Sequence, residues 1–386
     1  MSFRYLAAAK SLGKATLLGN VKYLILHVTP ICNAKCRFCF NADGMDERRD
    51  ANTLTLGEIQ RLAKSVGTLP QLTLSGGEPT LRKDTIDILR AFYEHAETRF
   101  FTIPTNALLP NRVEELIEQF QDVCPKGFFN LCLPFHGDEE TYDNQMGVPG
   151  NFRKFKKTYE IIEDAKQRYT NISGALVCVI SKFNHEHAKK IVDLSHAEFP
   201  GMPLGLHYAR GITRERDARD FPIEAYEDIY DYELSRKTSK SRRNPYTVVQ
   251  EAIQQQMKDT IAGVVKGEIT NLDCKAGKNF LVIYDDGSVF PCELIDVVGM
   301  PPGDGAPAES GLGNIRTFDC DLRALLASDH ARRVIEWIDT HDCACTWECA
   351  IFSKIINTPS KALRLSIEAV EYMLKPSPAA RAAEQA

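Results

Sequence analysis

The sequence lacks three features that would assign it to common classes of protein. It has no run of about 18 apolar residues, the length at which a transmembrane helix becomes the best interpretation. It has no excess of basic residues, because 47 Lys and Arg stand against 52 Asp and Glu, and the formal net charge of −5 argues against a nucleic-acid surface. Its N-terminal region has no apolar core long enough for a secretory signal peptide.

Cysteine, in contrast, is abundant. The 386 residues include 12 cysteines, and most of them fall into two groups. In a long chain without a secretory signal, clustered cysteines indicate metal binding in a reducing compartment rather than disulfides. We therefore expect a cytoplasmic metalloprotein.

The first group consists of Cys32, Cys36 and Cys39, spaced C-x3-C-x2-C directly after the strand-like run 23–28. Three thiolates on one loop can face a single iron–sulfur cluster, which normally takes four protein ligands. One iron would then be open to another ligand, which is a catalytic rather than a structural arrangement. Zinc is the alternative, although structural zinc prefers C-x2-C pairs and four protein ligands.

A second motif lies further along the chain, where a short apolar strand from Leu72 ends in Gly76, Gly77, Glu78 and Pro79. Paired glycines at the end of a strand allow close approach to the backbone, and the carboxylate of Glu78 can hold a cationic amino group. Taken alone, Gly-Gly-Glu-Pro is an ordinary turn. Placed after C-x3-C-x2-C, it resembles the radical S-adenosylmethionine (radical SAM) superfamily.

This resemblance implies a mechanism. The first three cysteines would hold a 4Fe–4S cluster, and the amino and carboxyl groups of S-adenosylmethionine (SAM) would bind its open iron. One electron, from a reductant such as flavodoxin or ferredoxin, would cleave SAM to a 5′-deoxyadenosyl radical that abstracts hydrogen from a substrate. Gly76, Gly77 and Glu78 match the family motif that contacts the SAM amino group, and Phe38 matches the aromatic position near the adenine.

Strand-like runs that alternate with helical segments predict an α/β fold with a parallel sheet. Six such runs are found, at 23–28, 72–75, 99–105, 128–135, 172–181 and 204–208. Six units fit the partial (β/α)6 barrel of the superfamily. A capping box at Thr55 and Glu58 predicts the start of one intervening helix.

In β/α barrels the chemistry lies at the carboxyl ends of strands. That rule nominates Thr105, Asn106, His136, Ser181, Asn184, His207 and Arg210. We take Asn106 and Ser181 as candidate cofactor contacts and His136, His207 and Arg210 as candidate catalytic residues, although each can be an ordinary turn or cap residue. His136 stands in Pro-Phe-His-Gly, where the family often has Ser-(Leu/Ile)-Asp-Gly, so the ribose or substrate contacts are expected to differ.

The second group of cysteines is C-terminal. Cys274 and Cys292 flank a predicted hairpin with an Asp-Asp-Gly turn, and Cys343, Cys345 and Cys349 follow. Together they can supply four thiolates to one metal site. Zinc bound by the same cysteines is again the alternative to a cluster.

The opening of this C-terminal pattern, Cys274, Gly287 and Cys292, matches the auxiliary-cluster extension called SPASM, or its shorter form, twitch. The later C-x-C-x3-C departs from the full SPASM pattern, so the resemblance implies one auxiliary 4Fe–4S cluster. We favour Cys274, Cys292, Cys345 and Cys349 as its ligands, with Cys343 as the competitor for one place.

The resulting division of the chain has five parts. They are an N-terminal basic helix (1–19), the radical SAM partial barrel (20–211), a helical linker (212–265), a small α+β auxiliary-cluster domain (266–357), and a C-terminal helix with a disordered tail (358–386). The N-terminal helix either docks on the edge of the barrel or makes a weak contact with a membrane surface through its basic and apolar residues.

The function that follows is that of a radical SAM enzyme, an oxidoreductase or transferase. We expect oxidation, epimerisation or bond formation at an unactivated C–H of a small-molecule substrate, with the auxiliary cluster able to accept an electron. A peptide-modifying maturase is the alternative. An iron–sulfur electron-transfer protein without SAM chemistry is the alternative from another class, and Gly76-Gly77-Glu78 argues against it because an electron carrier needs no SAM site.

Overall fold

The computed structural model describes residues 3–47, 52–236, 245–295 and 309–357. Its strands are β1 (Tyr23–His27), β2 (Gln71–Ser75), β3 (Phe100–Pro104), β4 (Phe128–Pro134), β5 (Ile172–Ile180), β6 (Leu204–Tyr208), β7 (Phe280–Ile283), β8 (Ser288–Phe290) and β9 (Gly313–Asn314). Its α-helices are α1 (Phe3–Leu17), α2 (Ala42–Glu47), α3 (Leu56–Ser65), α4 (Thr85–His95), α5 (Pro110–Val123), α6 (Glu139–Met146), α7 (Asn151–Arg168), α8 (Ala188–Glu198), α9 (Ile223–Arg236), α10 (Pro245–Val265), α11 (Leu322–Leu326), α12 (Asp329–Thr340) and α13 (Glu348–Asn357).

The first six strands form the parallel sheet that the alternating pattern predicts. β1 to β6 are neighbours in chain order, and each adjacent pair is parallel. Helices connect successive strands, as parallel pairing requires. The predicted partial (β/α)6 barrel is confirmed.

The C-terminal hairpin joins this same sheet. β7 pairs in parallel with β1, with Tyr23 opposite Phe280, and β8 and β9 continue the sheet as antiparallel strands. The sequence predicts this hairpin within the auxiliary-cluster domain at 266–357. The observed pairing places the segment with the C-terminal cysteines beside the strand that leads into the N-terminal ones.

The two faces of the barrel sheet differ in exposure. On the outer face, the rings of Phe101 and Phe129 lie 5.5 Å and 4.6 Å from that of Phe120 in α5. Because side chains alternate along a strand, Thr102 and Asn130 face the interior of the barrel, where they are partly exposed. The apolar core therefore lies between the sheet and its helices, and the concave interior stays accessible.

The helix α3 begins with the capping box that its sequence predicts. The Glu58 amide donates to Thr55 Oγ1 at 3.3 Å, and the Thr55 amide donates to Glu58 Oε2 at 2.7 Å. Glu58 also accepts a hydrogen bond of 2.6 Å from Nε of Arg316. The cap thus links the barrel to the C-terminal segment.

The N-terminal helix α1 docks at the amino-terminal end of the barrel strands. Tyr5 lies 5.0 Å from the ring of Phe128, and the hydroxyl of Ser11 donates to the carbonyl of Glu97 at 2.8 Å. Its outward face leaves Leu17 87% exposed. None of the helices in the described ranges is both long enough and apolar enough to span a bilayer. The C-terminal helix and tail expected at 358–386 lie outside the described residues.

Candidate active site

The cysteine loop, residues 29–41, follows the carboxyl end of β1 and carries the first three cysteines. Its first part is bound to the residues that follow β2. The amide of Gly77 donates to the carbonyl of Thr29 at 2.7 Å, and the amide of Glu78 donates to that of Ile31 at 2.8 Å. Since β1 and β2 are parallel neighbours, their carboxyl ends meet at one edge and bring the two sequence motifs together.

Gly76 and Gly77 are glycines because the cysteine loop crosses directly over them. Gly76 has φ of +125°, in the region that favours glycine. A Cβ atom on Gly76 would overlap the carbonyl oxygen of Thr29, and one on Gly77 would overlap that of Ile31. The close approach that the sequence predicts is therefore made by the backbone of the cysteine loop.

The other side of the cysteine loop is held by α6 and by the loop after β6. The amide of Lys35 donates to the last residue of α6 at 3.0 Å, and that of Arg214 donates to the carbonyl of Cys39 at 2.9 Å. The guanidinium of Arg37 makes two hydrogen bonds of 2.6 Å and 2.8 Å to the carboxylate of Glu215. The loop is therefore fixed from both sides.

The three thiols of the cysteine loop influence one another. Burial raises the pKa of Cys36, and the charges of Cys39 and Cys32 raise it further. The sulfur of Cys32 accepts hydrogen bonds from the amide of Ala34 at 3.4 Å and from the side chain of Asn106 at 3.7 Å. Such bonds stabilise a thiolate, and a bound metal deprotonates a coordinating thiol outright. The donor set thus fits a metal centre.

A single zinc ion and an iron–sulfur cluster place different demands on these thiols. Zinc requires its sulfur ligands at about 2.3 Å from one point. A cluster binds each cysteine to a different iron and therefore accepts more widely spaced thiolates. The spacing C-x3-C-x2-C on one loop is the observation that favours a cluster over zinc.

The carboxylate of Glu78 accepts hydrogen bonds from other residues of the protein. Its Oε1 accepts hydrogen bonds from the hydroxyls of Thr80 at 2.6 Å and Thr105 at 2.8 Å, and its Oε2 accepts one from the amide of Asn106 at 2.6 Å. The residue is 1% exposed, and burial raises the pKa of its carboxyl. These bonds tie the end of β2 to the end of β3 and hold the Glu78 carboxylate in place, and its contact with a cationic amino group stays a prediction.

Phe38 and His136 form an aromatic pair beside the cysteine loop. Their ring centroids are 4.6 Å apart, and His136 is 1% exposed. Burial lowers the pKa of His136 to about 3, and neither ring nitrogen has a hydrogen-bond partner in the described part of the chain. A buried neutral imidazole is a poor general acid at neutral pH, so the geometry does not favour the predicted catalytic role for His136.

Ser181 and Asn106, the two predicted cofactor contacts outside the motifs, have different surroundings. Ser181 is fully buried at the end of β5, where its amide donates to Oδ1 of Asn184 at 2.9 Å. Its side chain is enclosed by protein, and the expected cofactor contact stays a prediction. Asn106 donates from Nδ2 to Oδ1 of Asn33 at 2.7 Å and lies beside Cys32 in the cysteine loop.

The C-terminal cysteines are brought together by the hairpin and by a backbone contact. The amide of Leu272 donates to the carbonyl of Cys343 at 2.9 Å. A hydrogen bond from Cys343 lowers the pKa of Cys274, and the same bond raises that of Cys343. Burial raises the pKa of Cys292, and the charge of Cys345 raises it further. These four thiols therefore form one group.

Cys349 lies towards the interior of the barrel. Its sulfur is 3.8 Å from the hydroxyl of Tyr23 in β1. Burial raises the pKa of Cys349 to about 12, while the charge of Arg210 lowers it. The structure thus brings Cys343 to the group of thiols and places Cys349 beside the inner face of β1.

Arg210 lies in a buried charge network at the carboxyl end of β6. Its guanidinium is 3.0 Å from Glu348 and 3.2 Å from Glu293. His207 lies 3.8 Å from Glu348, and Nε2 of His27 lies 3.4 Å from Glu293. The sequence analysis nominates Arg210 and His207 but misses Glu293 and Glu348. The one feature of the sequence that could have indicated these glutamates is that each is adjacent to a cysteine.

Comparison with known proteins agrees with this geometry. The family model described as the radical SAM superfamily matches residues 26–195. The chain is 27% identical over 282 residues to the AdoMet-dependent heme synthase of Methanosarcina barkeri, a match that covers 70% of this chain and 76% of that protein. It is 33% identical over 106 residues to the GTP 3′,8-cyclase of Pectobacterium atrosepticum, but spans only 30% of the length of that relative and 26% of this chain.

Two solved structures share the fold. The anSMEcpe structure with bound AdoMet has a TM-score of 0.56 at 16% identity, covering 91% of this chain and 96% of its own. Streptococcus suis SuiB bound to S-adenosylmethionine has a TM-score of 0.56 at 17% identity, covering 86% of this chain and 71% of its own. At these identities the likeness concerns the architecture, and it extends past the barrel into the C-terminal segment.

Proposed function

Because the chain belongs to the radical SAM superfamily, we propose that it is an enzyme that cleaves S-adenosylmethionine and abstracts hydrogen from a small-molecule substrate. Its cofactors are a 4Fe–4S cluster and SAM, and we add one auxiliary 4Fe–4S cluster. When bound and reduced, the first cluster supplies the electron that cleaves the sulfonium to a 5′-deoxyadenosyl radical. The protein itself holds, orients and shields these groups.

Cys32, Cys36 and Cys39 would hold the first cluster. The single observation that carries the proposal is the position of the cysteine loop on Gly76 and Gly77, at the carboxyl ends of two parallel strands. In this position the three cysteines and the glycine motif lie next to each other, which is what a cluster and SAM bound together require. Electron carriers do not need such a glycine motif.

Phe38 would contact the adenine side of SAM. It is partly exposed and backed by His136, so one face of its ring is supported by protein. Asn106, beside Cys32, would lie at the methionine end of SAM. In this proposal Glu78 acts through Thr105 and the Asn106 amide, as a positioning residue, while the backbone of Gly76 and Gly77 contacts the SAM amino group.

The auxiliary cluster would be held by Cys274, Cys292, Cys343 and Cys345. The hydrogen bond between Cys274 and Cys343 supports this set over the one favoured by the sequence, which has Cys349 in place of Cys343. An auxiliary cluster in this position can accept the electron that remains after hydrogen abstraction, so net oxidation is the favoured outcome.

Peptide modification is a second candidate function. It is favoured by the fold alone, since SuiB has also been solved bound to the precursor peptide SuiA, with a TM-score of 0.55 and 17% identity to this chain. A labelled peptide library incubated with the enzyme and SAM, and analysed by mass spectrometry for loss of hydrogen, would separate this candidate from small-molecule chemistry.

Anaerobic SAM cleavage tests the proposal. The reconstituted protein, incubated with dithionite and SAM, should release 5′-deoxyadenosine and methionine, and Cys36→Ala should release neither. Cys124→Ala is the matched control, because Cys124 is buried at the end of α5, away from the cysteine loop. A protein that carries its cluster and releases no 5′-deoxyadenosine would leave only electron transfer among the alternatives.

A further inference from the structure

The inner face of the barrel carries a row of uncharged polar side chains on four adjacent strands. Thr73 lies opposite Thr102, Thr102 lies opposite Asn130, and Asn130 lies opposite Ser173. We call these four residues the polar belt. Since the outer-face residues between them pack against the helices, the belt faces the concave interior of the barrel.

The belt retains hydrogen-bonding capacity at its hydroxyls, while the side chain of Asn130 also donates from Nδ2 to the sulfur of Cys132 at 3.2 Å. Ser173 donates to Oδ1 of Asn130 at 2.9 Å, and the hydroxyl of Tyr23 lies 3.1 Å from that of Thr73. The hydroxyl of Thr102 has no hydrogen-bond partner among the described residues, although the residue is only partly exposed. Each hydroxyl can both donate and accept. The belt can therefore bind groups that do the same.

The level above the belt is lined by small side chains on three of its strands. Pro104, Cys132 and Ala175 are paired neighbours there, two residues further along their strands. These side chains are small, and none is fully buried. In closed β/α barrels, large branched residues fill such levels. Here the small side chains leave Thr102 and Asn130 partly exposed, which is the access that the proposal below requires.

The charged side chains of Arg210, Glu293 and Glu348 lie at the carboxyl-terminal opening of the barrel and pair with one another. Arg210 binds Glu293 and Glu348 at the carboxyl end of β6, above the level of the belt. The belt itself carries no ionisable carboxylate or cation. A charged ligand group at that depth would be partly dehydrated without gaining a counter-charge, so an uncharged group is favoured there.

The distance from the belt to the cysteine loop sets a length for the ligand. Thr73 lies on β2 and precedes Gly76, the residue after the end of that strand, by three residues, and a strand rises about 3.3 Å per residue. The belt therefore lies about 10 Å below the glycine motif. A ligand bound at both levels has to be elongated by about that length.

We propose that the belt binds a neutral, polyhydroxylated end group of the substrate, while the C–H that reacts lies about 10 Å higher, next to the glycine motif. This inference rests on the proposed function for its reaction but not for its binding. The substrate is thus an elongated molecule with an uncharged, hydroxyl-rich end. Thr102 and Asn130 are its specificity-determining residues.

Ligand-observed NMR on the reconstituted holoenzyme tests this inference. The probes are matched neutral, cationic and anionic polyols: methyl glucosides and inositol, glucosamine, and gluconate. Neutral probes should bind better than both charged sets. Thr102→Val, which removes one hydroxyl at constant shape, should weaken neutral binding about fivefold. Thr340→Val, on the exposed end of α12, is the matched control and should change nothing.

Asn130→Asp makes the test specific to charge. This isosteric change places a carboxylate in the belt, so preference should move from the neutral probes to glucosamine. A purely structural role for Asn130 would weaken all probes equally. If charged probes bind the wild type best, if no neutral probe binds, or if Thr102→Val and Asn130→Asp behave as wild type, the belt is not a substrate site.

The same preparations separate this inference from the proposed function. SAM cleavage with dithionite depends on the cysteine loop, whereas probe binding depends on the belt. SAM cleavage without binding of the neutral probes would overturn the proposed role of the belt and leave the proposed function standing. Neutral binding that depends on Thr102, in a protein that does not cleave SAM, would support the belt and overturn the radical mechanism.

Discussion

At the scale of single residues, Gly76 and Gly77 are the most constrained positions in the candidate site. Both lie beneath backbone atoms of the cysteine loop rather than beneath flexible side chains. Backbone cannot move aside without displacing the cysteines that follow Ile31. These two glycines therefore determine where the first cluster would lie.

Gly77→Ala should detach the first cluster. The added methyl group overlaps the carbonyl of Ile31, so the loop has to shift and the three thiolates lose their arrangement. We expect iron content to fall from about eight to about four per chain. Gly57→Ala is the control, because a Cβ there meets nothing within 4 Å. Full iron content in Gly77→Ala would contradict the conclusion that this glycine fixes the position of the cysteine loop.

Arg210 is the second residue on which a large effect is expected. Its side chain is 17% exposed, and those of Glu293 and Glu348 are 4% and 6% exposed. Arg210→Met removes the cation that two buried carboxylates share and leaves them only His27, His207 and one backbone amide as partners, so it should lower the free energy of unfolding by about 3 kcal/mol in urea denaturation.

The control for this prediction removes the charges together. Arg210→Met combined with Glu293→Gln and Glu348→Gln leaves no unpaired charge, so much of the lost stability should return. Equal destabilisation of the single and triple variants would mean that packing of the arginine, and not its charge, stabilises this region.

At the scale of elements, structure that depends on neighbouring residues can be predicted from the sequence, whereas the pairing of distant segments cannot. The six barrel strands and the Thr55–Glu58 cap follow from neighbouring residues, so the sequence predicts them. The pairing of β7 with β1 joins Phe280 to Tyr23 across most of the chain, and no local pattern encodes it.

The candidate site likewise has one part that the sequence predicts and one part that it does not. The motif spacing predicts which residues meet near the cysteine loop, because parallel strand ends must lie at one edge. It cannot predict that Thr105 and the Asn106 amide occupy the carboxylate of Glu78, or that Cys343 lies against Cys274. Such contacts depend on side-chain geometry between separate elements.

The link between α3 and the C-terminal segment predicts a pH dependence. Arg316 lowers the pKa of Glu58 to about 2, from about 4.3 in an unfolded chain. A depressed carboxyl pKa stabilises the fold above the unfolded value, and this contribution is lost as pH falls from about 4.3 to about 2. Glu58→Gln should remove this part of the acid sensitivity.

Urea denaturation at pH 7 and pH 3 measures this effect. Glu58→Gln keeps a side-chain acceptor for the Thr55 amide but loses the charge that Arg316 binds, so we expect a loss of about 1–3 kcal/mol at pH 7 and a smaller one at pH 3. Glu336→Gln, on the exposed face of α12, is the control. A loss that is equal at both pH values would exclude the charge as the cause.

At the scale of the whole molecule, one sheet supports both groups of cysteines. β1 leads into the cysteine loop and pairs with β7, which lies between Cys274 and Cys292. Arg210 adds a second link through Glu293 and Glu348. The two candidate cluster sites are thus built on adjacent strands of one sheet.

The C-terminal ligand set gives a prediction at this scale. Cys343→Ser should lower the iron content of the auxiliary site and change its EPR signal, because Cys343 lies against Cys274. Cys349→Ser should keep the iron, since Cys349 lies by Tyr23 and Arg210. Loss of iron in Cys349→Ser but not in Cys343→Ser would restore the ligand set favoured by the sequence.

The most direct test of the two-cluster, radical mechanism is anaerobic iron and sulfide content with EPR on the wild type and on the Cys32/Cys36/Cys39→Ala variant. We predict about eight irons in the wild type and about four in the variant, with a SAM-sensitive EPR signal only in the wild type. About four irons in the wild type and none in the variant would contradict the auxiliary cluster. The oxidative reaction would then have no electron acceptor.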